Sequence, residues 1–340
     1  MNKALIIGDI HLKDKHQGFL QAQIDTIIKL AKTDDYSAIV FLGDVFDKRK
    51  PTPSELLAFR DILTNIKAKR IYIIRGNHES ETKSDNGVTV LSLFDSPRKG
   101  IHVVEHTKRF THKDFLPCTI VPHYEHPQTI IEGLASAKED DIVFGHFGYY
   151  DFNAVHSDDI SNIRLEHFRN FSILGHIHIN AQERNVVTLG TPYSTNFGEY
   201  GRTHYYGVIE YDEEGYNYCE YPIDFGIQHI VCTAEELPQY AEIINEGEYY
   251  TLVKVVSTKL EEDISQGYKD KILAEYDINY LDVVFRPVVE QTKYAEDISN
   301  YIPQRHLFKI NDVIIEDYIQ KNATKLSEED IREGYELLTE

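Results

Sequence analysis

The sequence predicts an α/β layered fold, on three observations. Short apolar runs of strand length alternate with helical patterns through the first half of the chain. Most of these runs end in a glycine followed by Asp, Asn or His. After residue 203 the texture changes to closely spaced strand-like runs. The apolar stretches at 4–7, 38–42, 70–74, 119–121, 142–144 and 172–174 have the length and bounding turns of buried strands. Between the early ones, 19–32 and 54–65 carry apolar residues at helical spacing. Strands alternating with helices give a sheet covered by helices. Sites in such folds gather at the carboxyl ends of strands. One layered sheet presenting all the polar turns at a single edge is therefore expected.

In the second half, 205–211 and 216–221 read as strands joined by a turn at 212–215. A strand at 228–233, a helix at 235–245, a strand at 252–256, a helix-like stretch at 261–275 and a strand at 283–286 make a small α+β unit. The expected division is 1–225, 226–305 and 306–340. Residues 311–340 hold nine acidic and three basic residues. There, 313–320 has the pattern of a short amphipathic helix. Ser327 followed by Asp330 resembles a capping box, and Ile331, Tyr335 and Leu338 fall on one face of the helix it opens. These helices either pack on the parent domain or hook another protein.

The chain of 340 residues has room for one large domain and small appendages. Its 41% apolar and 27% charged residues are an ordinary globular balance. The apolar run before Asp9 is too short and too quickly acidic for a signal peptide. No apolar stretch approaches the roughly 20 residues of a membrane span. Cys118, Cys219 and Cys232 are scattered, with no CxxC pair, so neither a disulfide framework nor structural zinc is expected. A reduced, cytoplasmic protein follows. The net charge of −21 repels phosphate at long range. Either the carboxylates serve a metal site or face away from substrate, or a partner supplies basic surface, or the protein never meets nucleic acid.

Five fragments carry the chemistry: Gly8-Asp9-Ile10-His11, Gly43-Asp44-Val45-Phe46-Asp47, Gly76-Asn77-His78-Glu79, Gly145-His146 and Gly175-His176-Ile177-His178. Asp9 and His11 are two apart, as are His176 and His178, so in extended segments each pair points one way and grips a metal from one side. Carboxylate, amide oxygen and imidazole suit two hard or borderline divalent cations. In this reading Asp44 bridges the two ions. Asp9, His11 and His178 complete one site, and Asn77, His146 and His176 the other. Two ions about 3.5–4 Å apart clamp a phosphate and lower the pKa of a bridging water. His78 needs no metal of its own, and contacts the scissile phosphate or protonates the leaving alkoxide.

The order of these fragments resembles the calcineurin-like metallophosphoesterase superfamily over residues 3–199. Within it, the chain looks like the SbcD-like nuclease subunit, the family of meiotic recombination factor eleven. Lys48-Arg49-Lys50-Pro51-Thr52-Pro53 is similar to that family's segment after the bridging Asp. Gly190-Thr191-Pro192…Asn196-Phe197-Gly198-Glu199 is similar to its Gly-Ser-Pro…Phe-Gly-Glu stretch. The resemblance implies two stacked β-sheets flanked by helices, a small α+β capping domain and a helical tail that binds an ATPase. It also implies Mn²⁺ dependence, with Mg²⁺ as the substitute, DNA as substrate, a homodimer and a coiled-coil ATPase partner of the SbcC type. Asp47 stands where many cellular members carry His, so either the balance of exo- and endonuclease action differs or Asp47 is structural. The compact length is closer to a phage recombination endonuclease subunit than to eukaryotic members.

Two other function classes fit parts of the sequence. Residues 74–79 also resemble the serine/threonine protein phosphatases, but those follow the bridging Asp with Asp-Arg-Gly, and here Lys48-Arg49 follows Asp47. A phosphatase or small phosphodiesterase is one alternative, and a non-catalytic metal-bearing scaffold for a DNA-binding ATPase is another. His106, His112, His123 and His126 lie outside the five turns and are not expected to be ligands. Lys48, Arg49 and Lys50 are either a solvated run or a phosphate contact. The segments 54–65 and 88–94 are candidate dimer surfaces or parts of the core.

Overall fold

Alternation within the first strands sets the layers. In β1 (Asn2–Ile7), Leu5 and Ile7 face one way and Ala4 and Ile6 the other, and all four are fully buried. A strand buried on both faces needs a layer on each. Leu5 and Ile7 join Ile39 and Phe41 of β2 (Ala38–Phe41) and Ile71 and Ile73 of β3 (Arg70–Ile74). This face packs on the apolar stripes of α1 (Phe19–Leu30) and α2 (Pro53–Asn65). Ala4 and Ile6 join Val40, Tyr72 and Ile74 against Ile120, Phe144, Ile173 and Val187 of a second sheet. The computed structural model describes residues 2–82, 85, 87–149, 162–245, 247–257 and 266–285.

The remaining strands are β4 (Ile101–Val104), β5 (Lys108–Phe110), β6 (Cys118–Val121), β7 (Ile142–His146), β8 (Ser172–Gly175), β9 (Ala181–Glu183), β10 (Val186–Thr188), β11 (His204–Tyr211), β12 (Tyr216–Ile223), β13 (Gly226–Cys232), β14 (Tyr249–Ser257) and β15 (Tyr280–Phe285). The first sheet runs β12-β11-β1-β2-β3-β4, parallel through β1 to β4 and antiparallel at β11 and β12. The second runs β5-β6-β7-β8-β10-β9. Its outer face packs Val121, Val143, Leu174 and Val186 against Ile130 and Leu134 of α3 (Pro127–Ala135). The fold is thus two stacked sheets flanked by helices. The two sheets are those the family resemblance implies, where the strand pattern alone pointed to one. The chain leaves β4 at the half-buried edge of the first sheet, and β5 pairs antiparallel with β6, so a second sheet begins instead of the first widening.

A third sheet, β13-β14-β15, is parallel throughout. It surrounds Ile230, Val253, Val255, Ile272 and Ile278. Its crossovers contain α4 (Ala241–Asn245) and α5 (Gln266–Glu275). The single helix expected at 235–245 is a 3₁₀ turn, Leu237–Tyr240, followed by α4. Pro238, which has no N–H to donate, sits in its first turn. The expected helices at 313–320 and from 327 lie outside the described residues.

Local chemistry starts α2. Thr52 caps it: its Oγ1 accepts from Glu55 N at 3.3 Å, and Glu55 Oε2 accepts from Thr52 N at 2.7 Å. Glu55 Oε1 also accepts from Asp14 N at 3.0 Å, tying the turn after β1 to this helix.

Asp141 secures the second sheet. Its buried carboxylate takes a forked pair from Arg109 (Nε at 2.8 Å, Nη2 at 2.7 Å), Thr119 Oγ1 at 2.7 Å and Lys138 N at 3.1 Å. Burial acts to raise its pKa, but Arg109 and Thr119 hold it below the usual carboxylate range. A carboxylate so held contributes stability above its unfolded pKa and loses it as pH falls through the folded one. Asp141→Asn is expected to lose about 2 kcal/mol at neutral pH. The deficit shrinks as pH falls from the unfolded pKa through the lowered folded one, and urea melts at pH 7 and pH 3 check this. A deficit that does not change with pH would refute the ionic part of the account.

Candidate metal centre

Each motif residue leaves a strand at its carboxyl end: Asp9 after β1, Asp44 after β2 and Asn77 after β3. His146 closes β7, and His176 follows β8. Three turns thus come from the first sheet and two from the second. His11, Asp44 and His176 have φ of 43°, 43° and 81°, the left-handed region. That conformation costs a non-glycine residue about 1–2 kcal/mol. Hydrogen bonds enforce it. His11 N donates to Asp44 O at 2.9 Å, and Leu12 N to Val45 O at 2.8 Å. Buried Gln23 of α1 donates to His11 O at 2.9 Å and accepts from Lys13 N at 3.0 Å. Glycine is required for close approach: a Cβ at Gly43 would overlap the His146 ring, and one at Gly76 would overlap the Asp44 carboxylate.

The turns bring the motif side chains into two adjoining clusters. Asp9, His11 and His178 form one, Asp44, His146 and His176 the other, and a third grouping, His11 with Asp44 and His78, overlaps both. His11 Nε2 and His178 Nε2 lie 2.9 Å apart. Two donors at about 2.1 Å from one ion, at right angles, lie about 3 Å apart. Asn77 Oδ1 is 3.0 Å from both His146 Nε2 and His176 Nδ1. Asp44 stands between: Oδ1 is 3.2 Å from His146 Nε2, and Oδ2 is 3.8 Å from His11 Nε2. The pair His176 and His178 therefore splits between the clusters, contrary to the extended-strand expectation. The left-handed turn at His176 redirects the chain between them.

Carbonyl and carboxylate acceptors fix the imidazoles. His146 Nδ1 donates to Leu42 O at 2.8 Å, which leaves Nε2 facing Asp44. His178 Nδ1 donates to Glu199 Oε1 at 2.9 Å, which leaves Nε2 facing His11. His78 Nδ1 donates to Asp47 O at 2.6 Å, and His78 N donates to Asp44 Oδ1 at 3.0 Å. The charges are strongly interdependent. Burial and the charge of Asp44 push Glu79 up to about 8. Burial, against the charge of His146, raises Asp9 to about 6. Burial opposes ionisation of Asp44, yet His146 holds it well below the carboxylate range. His146, despite burial, is raised to about 10 by Asp44 and Asp9. Burial lowers His11 to about 3 and His176 to about 4. Glu199, against burial, is held at about 2 by His178 and Thr195. Asp9 Oδ1 and His11 Nδ1 are buried without a hydrogen-bond partner. A convergent set of oxygen and imidazole donors with buried unpaired atoms fits divalent cations.

Supporting residues were less visible in the sequence. Glu79, 1% exposed, accepts from Phe46 N and Gly76 N, each at 2.9 Å, and knits the second turn to the third. Its place in Gly-Asn-His-Glu is the only signal. His123 comes to the rim, its ring 6.0 Å from that of His176 and 6.3 Å from that of His146. It follows β6 as the motif turns follow their strands. Asp47 Oδ1 accepts from Lys13 Nζ at 3.2 Å. Arg49 donates to Ser80 O at 2.9 Å, while Lys48 and Lys50 are exposed.

The calcineurin-like phosphoesterase family matches residues 3–180, which take in all five turns. This chain belongs to that family. Members of the calcineurin-like phosphoesterases bind divalent metals, so the clusters are read as a metal-dependent phosphoesterase centre. The DNA double-strand break repair protein Mre11 of Methanosarcina mazei is 38% identical over 73 residues, which is 21% of this chain and 12% of that protein. Mre11 of Methanosarcina acetivorans is 40% identical over 73 residues, again 21% and 12%. The chain thus spans about an eighth of the length of these relatives. A solved archaeal phosphodiesterase aligns at 14% identity over 65% of this chain and 99% of its own, with a TM-score of 0.38.

For a calcineurin-like phosphoesterase, metal binding stabilises the fold by mass action. A divalent ion at about 100 times its Kd adds about 2.7 kcal/mol per site. Mn²⁺ is expected to raise the melting temperature, and a chelator to reverse the rise. A melting curve indifferent to Mn²⁺, Mg²⁺ and chelator would sink the metal reading.

Proposed function

We propose that this phosphoesterase is a Mn²⁺-dependent DNA nuclease subunit that works with a coiled-coil ATPase of the SbcC type in DNA repair and recombination. The observation that carries the reading is Asp44, with one carboxylate oxygen turned to each of two imidazole-rich clusters. The similarity to Mre11 supports DNA as the substrate. Asp44 would serve two ions; Asp9, His11 and His178 would hold one, and Asn77, His146 and His176 the other. When bound, the ions supply Lewis acidity to the phosphate and lower the pKa of a water.

The chain's own groups do the rest. His78 is fixed through Nδ1 by Asp47 O, and its side chain is 37% exposed at the mouth of the centre. Its Nε2 lies 3.9 Å from Asp44 Oδ2, and the doubly protonated ring would give its Nε2 proton to the leaving 3′ or 5′ alkoxide and become the neutral Nδ1–H imidazole. The left-handed turns and the Gln23 bonds hold His11 and Asp44 rigid, so little reorganisation accompanies reaction. Residues 1–225 form the nuclease domain, 226–305 the capping domain and 306–340 the ATPase-binding tail. A homodimer uses the exposed Leu57, Val88 and Leu93 beside α2. No helix among the described residues is long and apolar enough to cross a membrane, and the proposed setting is the cytoplasm.

The test is a cleavage assay on linear duplex and hairpin DNA with Mn²⁺ or Mg²⁺, comparing wild type with Asp44→Ala. Cleavage in Mn²⁺ that disappears in the variant is expected. Hydrolysis of bis(4-nitrophenyl) phosphate without DNA cleavage, even with the ATPase present, would overturn the nuclease reading in favour of another phosphoester substrate.

A further inference from the structure

The segment 190–199 lies beyond the family-matched residues and supplies no residue to either cluster. It ends in a 3₁₀ turn, Phe197–Glu199. Glu199 is 4% exposed and accepts four hydrogen bonds: from His178 Nδ1 at 2.9 Å, Thr195 N at 2.7 Å, Thr195 Oγ1 at 2.9 Å and Asn196 Nδ2 at 3.2 Å. A buried carboxylate with this many donors is fixed in place. By accepting from Nδ1, it fixes the tautomer that leaves the Nε2 lone pair aimed at His11 and Asp9.

The same segment is gripped from its other side by the third sheet. Ser194 Oγ shares a hydrogen bond of 3.0 Å with His229 Nδ1 of β13. The Phe197 ring meets the His229 ring edge-on at 4.7 Å, and Lys254 Nζ of β14 lies 4.4 Å from the Phe197 centroid. A path therefore runs from β13 and β14 through their contacts with Phe197, along the backbone of the 3₁₀ turn to Glu199, and on to His178.

We propose that Glu199 is the positioning residue for His178, and that the third sheet sets its placement. The affinity of the Asp9–His11–His178 cluster for its ion then depends on a module outside both catalytic sheets. The inference rests on the reading of the two clusters as metal sites.

The test is calorimetric titration of Mn²⁺ into the metal-stripped full chain, with circular dichroism melts as a control of folding. Wild type is expected to bind two ions. Glu199→Ala is expected to lose about 10–100-fold in affinity at one site and to keep the other. Glu199→Gln, whose amide oxygen still accepts from Nδ1, recovers part of the loss. Phe197→Leu keeps apolar volume but loses both ring contacts, and weakens the same site several-fold. Added to Glu199→Ala it does nothing further, because both act through one link. Thr195→Val removes one of the four donors to Glu199 and leaves the carboxylate in place, so it is expected to weaken the same site less than Glu199→Ala does.

Two wild-type affinities in Glu199→Ala overturn the proposal. If that variant does not melt cooperatively, Glu199→Gln decides, and an unchanged affinity there overturns it. A loss in Thr195→Val equal to that in Glu199→Ala overturns it by making segment folding the cause. Additive losses in the double variant remove the third sheet's part. A wild type that binds no metal refutes the metal-site reading and this inference with it, whereas the other outcomes bear on the inference alone.

Discussion

Asp44→Asn is expected to lower phosphodiester hydrolysis by at least about 10³-fold and to abolish tight binding of at least one ion. The substitution is nearly isosteric, so the turn is kept. The amide, however, presents a donor to either His146 or His11, where the carboxylate presents an acceptor to both. Without metal, the variant loses the attraction between Asp44 and His146 but also a repulsion. Asp44 is 2% exposed, and its charge helps to push Glu79 up to about 8. Removing that charge relieves repulsion among buried carboxylates. The expected signature is a smaller rise in melting temperature on adding Mn²⁺ than wild type shows. Wild-type turnover in this variant would remove Asp44 from the mechanism.

His78→Ala is expected to separate chemistry from metal binding. The proposed ligand set leaves His78 out, although its ring groups with His11 and Asp44; Mn²⁺ stoichiometry is expected to be kept, and loss of an ion in the variant would make His78 a ligand. Loss of a general acid costs about 10²–10⁴-fold. The size of the loss depends on the leaving group. A DNA alkoxide is a strong base and needs the proton, whereas 4-nitrophenolate leaves without one. The variant is therefore expected to fail on DNA far more than on bis(4-nitrophenyl) phosphate. Equal losses on both substrates would indicate that His78 binds the phosphate and does not protonate the leaving group.

Much of the fold was legible because the strands announce themselves. The runs ending at Ile7, Leu42 and Ile74 are apolar on both faces, the first two stopping at glycine and the third one residue short of it, and each became a strand whose carboxyl end leads into a motif turn. That these turns divide between two sheets was not legible in the strand pattern, since nothing in the alternation before residue 118 says that β5 will pair with β6 and not with β4. The gathering of Asp9, His11, Asp44, Asn77, His146, His176 and His178 was legible as residue types in order. Their directions were not. The left-handed backbone at His176, which splits it from His178, is set by contacts from other strands. The acceptors that fix His78 and His146 are the carbonyls of Asp47 and Leu42, and any residue carries a carbonyl. Glu199 was visible only as part of a motif, because its partner lies 21 positions away.

The division of the turns between sheets also dictates when the centre comes into being as the chain folds. Residues up to Ile74 supply Asp9, His11 and Asp44, an oxygen-rich half with one imidazole. The histidines that complete both clusters arrive with β7 and β8. Even then β1 lacks its second neighbour, because β11 pairs with it from Tyr211 back to Gly207. Contacts so distant in sequence form late. A nascent or misassembled chain therefore offers no finished centre in which to capture an ion. A metal-dependent phosphoesterase centre is therefore complete only once the two sheets have docked, and an incompletely folded molecule lacks it.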